Sequence, residues 1–194
     1  MGSEAGTSFK VGDHLFYGLN GVCRVADIRE ERTGALAGQT CFVLRPVDDP
    51  ALTLYVPLAS EELRARMRPL LTREAVEALL DGLEDLEGLA SPSDRGRNQE
   101  CAALLASGDC RSLARLVRVL FEDRQHRKAH KKLPNQADHR LLTQAERLLH
   151  GEIAFVLGIR PEEVPGAIAA RLAGRLTDPI ADQLAGRHKG TAAS

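Results

Sequence analysis

The apolar residues of this 194-residue chain change their period at Pro57, and that switch predicts a strand-built front and a helix-built rear. Before it, Leu15–Tyr17, Val22–Ile28, Phe42–Val47 and Leu52–Leu58 are rich in β-branched and aromatic residues. Gly18-Leu19-Asn20-Gly21, Thr33–Gly38 and Asp48-Asp49-Pro50 separate them as turn-type clusters. The run Leu52–Leu58 alternates, with its leucines and Val56 on one face, so one face is expected buried and the other available. Four or five short strands in about fifty residues predict a small, twisted antiparallel β-barrel.

Beyond Pro57 the repeat becomes helical. Thr72 can cap a short helix whose apolar positions are Val76, Leu79 and Leu80. Residues 81–97 are polar, contain glycine and begin acidic, which suits a linker. Glu100–Ala106 reads as helix and stops at Ser107-Gly108. Asp109 then stands where an N-cap belongs, ahead of Leu113, Leu116, Val117, Leu120 and Phe121 at i, i+3, i+4, i+7 and i+8. That helix turns basic over Arg124–Lys132 and should stop or bend near Pro134. Another follows with Leu141, Ala145, Leu148, Leu149, Ile153 and Val156 on one side, and Pro161 can open a last short helix bearing Val164 and Ile168. The predicted class is α+β: a barrel over 9–60, a short helix and linker over 61–97, a compact all-helical domain over 98–175, and a flexible tail over 176–194.

The net charge of −1 hides an uneven distribution. Residues 1–60 hold five Lys/Arg against seven Asp/Glu, and 61–110 hold six against eleven. Residues 111–150 hold ten against four, a local +6, with four of the six His. Two surfaces with different partners are implied. Cys23, Cys41, Cys101 and Cys110 lie far apart without a CxxC pair, as expected of free buried thiols. The first eight residues lack an apolar leader core, and no apolar run approaches the roughly 20 residues of a membrane span, so a soluble cytoplasmic protein is expected.

Catalytic signals are weak. There is no GxxxxGK[ST] or strand-linked GxGxxG, and Gly12 and Gly21 fit tight turns rather than phosphate cradles. Glu84, Asp85 and Glu87 cluster in a segment with no apolar pocket to raise a carboxylate pKa. No Ser or Cys has a base at a recognisable spacing. The reading is of a chain that is not an enzyme and needs no cofactor or small-molecule substrate. His126 and His130 have the spacing of a helical metal pair, which leaves a metal-dependent hydrolase as a remote alternative. Arg127 stands where an HExxH motif needs Glu, however, and the surrounding cations oppose a metal. Arg124, Arg127, Lys128 and Lys131 follow i, i+3, i+4, i+7, so a continuing helix would present them together. By themselves they fit either contact with phosphates or a solvated helix end whose cations favour the C-terminal dipole.

Phe9-Lys10-Val11-Gly12-Asp13, followed by Tyr17, Gly21-Val22, Val25 and Ile28, resembles the opening of the polymerase-interacting domain of the CarD/CdnL family, bacterial transcription regulators. Val43-Leu44 and Tyr55-Val56-Pro57 fall where that Tudor-like barrel, shared with transcription–repair coupling factors, places its closing strands. Ser107-Gly108-Asp109 and Leu149-His150-Gly151-Glu152-Ile153-Ala154 resemble landmarks of the family's helical C-terminal domain, so the likeness spans about residues 9–170.

The resemblance implies docking on the β subunit of RNA polymerase through an exposed strand edge, a form of β-augmentation. Arg29, Arg32, Thr53 and Tyr55 are the implied contacts. It also implies largely sequence-independent phosphate contacts with promoter DNA from Arg95, Arg97, Arg124, Arg127, Lys128, Lys131, Lys132 and Arg140, which would modulate the stability of the open complex. Two departures stand out. Relatives carry basic residues at about the positions of Glu31 and Tyr55. Many also carry a wedge Trp at a position that falls near Asp94, whereas this chain has no Trp. A protein–protein adaptor on polymerase that makes no DNA contact is the competing reading. The waiting strand edge could also pair with a second copy of itself.

Overall fold

The computed structural model describes residues 9–83, 85–87, 94–131, 133 and 135–172, and the side chains of residues 94, 95 and 172 fall outside that description. The tail expected over 176–194 also lies outside it. Five antiparallel strands come first: β1 (His14–Tyr17), β2 (Val22–Glu30), β3 (Thr40–Pro46), β4 (Leu54–Pro57) and β5 (Met67–Pro69). Their order across the sheet is β4-β3-β2-β1-β5. A bulge at Ala26, where Val25 pairs with Leu44 and Asp27 with Val43, bends the long central strand.

The sheet is not closed into the expected barrel. Its outer strands β4 and β5 are joined by a one-turn helix, α1 (Glu61–Arg64), and make no ladder with each other. Both are short and both end in proline, which has no N–H to donate. Closure is also unnecessary for burial, because each face already has a cover. Leu15, Tyr17, Cys23, Val25, Phe42, Leu44 and Val56 form one small core, with Leu63 of α1 packed against it. Phe16 and Val22, paired in register on the opposite face, enter the core of the helical half. Strand β5 lies in the segment that the sequence placed between domains, since three residues carry no readable period.

The helices are α2 (Arg73–Asp81), α3 (Asp94–Ser107), α4 (Cys110–Ala129), α5 (Gln136–Leu157) and α6 (Val164–Leu172). Thr72 and Asp109 cap α2 and α4 as their positions predict, accepting the amides of Ala75 at 3.2 Å and Ser112 at 2.9 Å. Asn135 caps α5, and Gly158 ends it in the left-handed conformation at φ 72°. Helix α4 stops at Ala129, earlier than Pro134, and Lys131 turns the chain at φ 51°. Helix α5 is the hub. It touches α2, α3, α4, α6 and β2, and buries Leu142, Ala145, Leu148, Leu149 and Ile153.

Sheet and helices share one core rather than meeting through a tether. The joint is organised by Arg68 of β5. Its guanidinium donates to both oxygens of Glu152 at 2.7 and 2.6 Å, to the Gly108 carbonyl from Nε and Nη2 at 2.9 and 2.6 Å, and to the Pro69 carbonyl at 3.1 Å. It also lies 4.0 Å over the Phe16 ring. Glu152 is fully buried, and its second partner is the Leu71 amide at 3.0 Å. An unpaired carboxylate there would cost several kcal/mol, which explains why so many donors converge on it. Nearby, Arg147 of α5 binds Asp48 and the Leu19 carbonyl of the sheet half.

Candidate functional site

The basic block does not form one continuous stripe. Arg124, Arg127 and Lys128 lie on the last turns of α4, while Lys131 lies beyond its end and folds back. Together with Asn135 and His139 they line a groove of about 410 Å³ between α4 and α5, floored by Leu120 and Leu142. Tertiary structure thus brings Lys131 back to the three cations that helical periodicity already groups on α4.

The groove is not uniformly positive. Arg127 donates from Nε to Asp123 at 2.7 Å. Arg97 donates to both oxygens of buried Asp138 at 3.2 and 3.1 Å and approaches Asp123 at 3.9 Å. It therefore ties α3 to α5. Arg124, Lys128, Lys131 and Arg140 are exposed. The Arg124 guanidinium sits 4.9 Å from the centroid of the Phe121 ring, which is 42% exposed. Lys132 and the Arg95 side chain lie outside the described residues.

His126 and His130 have ring centroids 4.2 Å apart. The Nδ1 of His130 is 2.8 Å from the His126 carbonyl, so it serves the end of the helix. Among the described residues, no three His, Cys, Asp or Glu side chains gather as a metal site would require. All four cysteines are free and buried. Burial pushes the Cys23 thiol up to about 12, with Asp48 adding to it, and raises Cys110 as well, with buried Glu152 contributing. Such thiols are poor nucleophiles. No helix among the described residues is long and apolar enough to cross a membrane.

The other surface is the free edge of the sheet. Leu58 donates to the Thr40 carbonyl at 2.9 Å, so antiparallel alternation turns the amides of Leu54 and Val56 toward β3 and that of Tyr55 outward. The Tyr55 side chain is 39% exposed, and Thr53 is half-buried. Arg29 is held by Glu31 at 2.9 Å and Asp27 at 3.4 Å, while Arg32 is exposed at the adjoining turn. The edge thus offers unpaired backbone beside an arginine already oriented by two acids.

A CarD-like/TRCF RID domain model matches residues 9–71, and a model of the CarD C-terminal domain matches residues 78–169. The chain belongs to the CarD-like family. The first match ends just after β5, so the family's N-terminal unit coincides with the whole five-stranded sheet. Glu152 and Gly108 fall in two motifs that the sequence marks, but their shared partner, Arg68, does not. Nothing in Met67-Arg68-Pro69 distinguishes an arginine whose partners lie 40 and 84 residues away. No curated protein matches this CarD-like chain.

Proposed function

We propose that this CarD-like protein docks the outer edge of β4 on the RNA polymerase β subunit and holds promoter DNA with the rim of the α4–α5 groove, modulating the stability of the open complex. The family domains point to a non-enzymatic transcription regulator that interacts with polymerase. The observation that carries the rest is the pairing of a strand edge with an outward amide and a groove rimmed by Arg124, Lys128 and Lys131, on a sheet that Phe16 and Val22 anchor in the helical core. The edge can accept a strand through main-chain hydrogen bonds, and the rim can neutralise phosphates without reading sequence. Arg29, Arg32, Thr53 and Tyr55 flank the first surface. Arg124, Arg127, Lys128, Lys131 and Arg140 serve the second; Arg95 and Lys132, the other proposed phosphate contacts, lie outside the described side chains.

The adaptor reading has its own support. Arg97 and Arg127 are engaged by Asp138 and Asp123, which lowers the positive charge facing outward, and the chain lacks the wedge Trp of many relatives. Titration of purified host RNA polymerase and a forked promoter fragment, separately and together, at two salt concentrations, separates the two readings. Bridging predicts that DNA binding is tightened by polymerase and weakened by salt. Replacing Lys128 and Lys131 with Ala should reduce the salt slope by about 0.9 for each phosphate no longer neutralised. Polymerase binding with no DNA contribution would instead favour the adaptor.

A further inference from the structure

The Arg68 joint is built more tightly than a packing contact between two lobes requires. All five N–H groups of the guanidinium are committed: two to Glu152, two to the Gly108 carbonyl and one to the Pro69 carbonyl. The acceptors come from α5, from the turn between α3 and α4, and from β5 itself, while the aromatic platform beneath comes from β1. Gly108 sits at φ 62°, and a Cβ there would lie 3.1 Å from the Phe16 ring, so this turn meets the sheet at backbone range. A rotation of the sheet against the helices breaks several charge-assisted bonds at once, because a fork has no second orientation that satisfies the same acceptors.

We infer that Arg68 is a positioning residue: by clamping β5 to Glu152 and the Gly108 carbonyl, it fixes the free β4 edge and the basic groove in a single relative orientation. Docking at the edge then determines where the groove meets DNA, and ordering the two lobes costs nothing further at the moment of binding. The functional half of this inference rests on the bridging reading. The orientational half does not.

The test uses the full chain. Labels at Thr33→Cys on the sheet half and Ala169→Cys on α6 report the distribution of distances between the lobes, the native thiols being buried. Arg68→Lys keeps the charge and loses the fork; Glu152→Gln keeps the shape and loses the charge. Circular dichroism confirms that each variant is folded. The expected result is a narrow distribution in the parent and a broad one in both variants. Affinity for host RNA polymerase alone should be unchanged, whereas the polymerase-dependent gain in forked-DNA affinity should fall about tenfold. A distribution that stays narrow in both folded variants overturns the clamp. A broad distribution with the DNA gain intact overturns its positioning role. Should the parent itself show no DNA gain, the bridging reading fails and the positioning role falls with it, while the distance widths still decide the clamp.

Discussion

Arg97 shows how one residue type can serve two purposes that sequence cannot separate. A basic residue near the start of a helical domain fits phosphate contact, yet Asp138 lies buried opposite and takes both of its bonds through Nη1. Removing one partner of a buried pair leaves the other charge uncompensated. Arg97→Ala should therefore destabilise the fold by about 3 kcal/mol, read as a lower urea midpoint, with the double variant Arg97→Ala/Asp138→Ala recovering part of that drop. An unchanged midpoint would return Arg97 to the surface. His150 gives a pH dependence of known sign. Burial lowers its pKa from the ordinary 6.5, so below about that pH the unfolded chain binds a proton that the folded chain refuses. Stability is full above pH 6.5 and falls as pH drops toward the lower folded value. His150→Gln should flatten that fall in urea titrations between pH 7 and 5; an equally steep fall would assign it to other groups, such as His14, whose pKa burial also lowers.

At the scale of the element, β4 carries the sharpest prediction. The Tyr55 amide points away from β3, so Tyr55→Pro deletes a donor that the sheet does not use. The melting temperature should fall by only a few degrees, since an edge strand tolerates proline where its N–H faces away from the ladder. Affinity for RNA polymerase should drop tenfold or more if partner main chain bonds there. Equal polymerase affinity in a folded Tyr55→Pro protein would move the docking surface elsewhere. The α4 cap and stripe, the α2 cap and the strands β2 and β3 were legible because each follows from local spacing. The early end of α4 and the existence of β5 were not. A single left-handed residue at Lys131 and a three-residue strand leave no periodic trace.

For the molecule as a whole, the shared core makes cooperativity testable with the protein's own reporters. Both tyrosines, Tyr17 and Tyr55, lie in the sheet and there is no Trp, so tyrosine fluorescence follows the sheet while ellipticity at 222 nm follows the helices. Phe16 and Val22 bury themselves among helical side chains, and burying a Phe contributes about 1.5–3 kcal/mol. The two signals should lose structure at one midpoint, as expected of a single cooperative unit. Midpoints separated by more than about five degrees would show two independently folding lobes.

By itself the sequence determined the local chemistry: which stretches alternate, which follow a helical stripe, where caps stand, and where positive charge accumulates. Those features depend on neighbours within a turn or a strand, and the family motifs are written in the same local terms. Only the tertiary structure decided that the sheet stays open, that Lys131 rejoins Arg124 and Lys128 across a groove, and that Arg97 and Arg68 face inward to Asp138 and Glu152. Each of these outcomes sets the desolvation of a buried charge, or of a sheet face, against partners tens of residues away. No spacing in the chain encodes that balance.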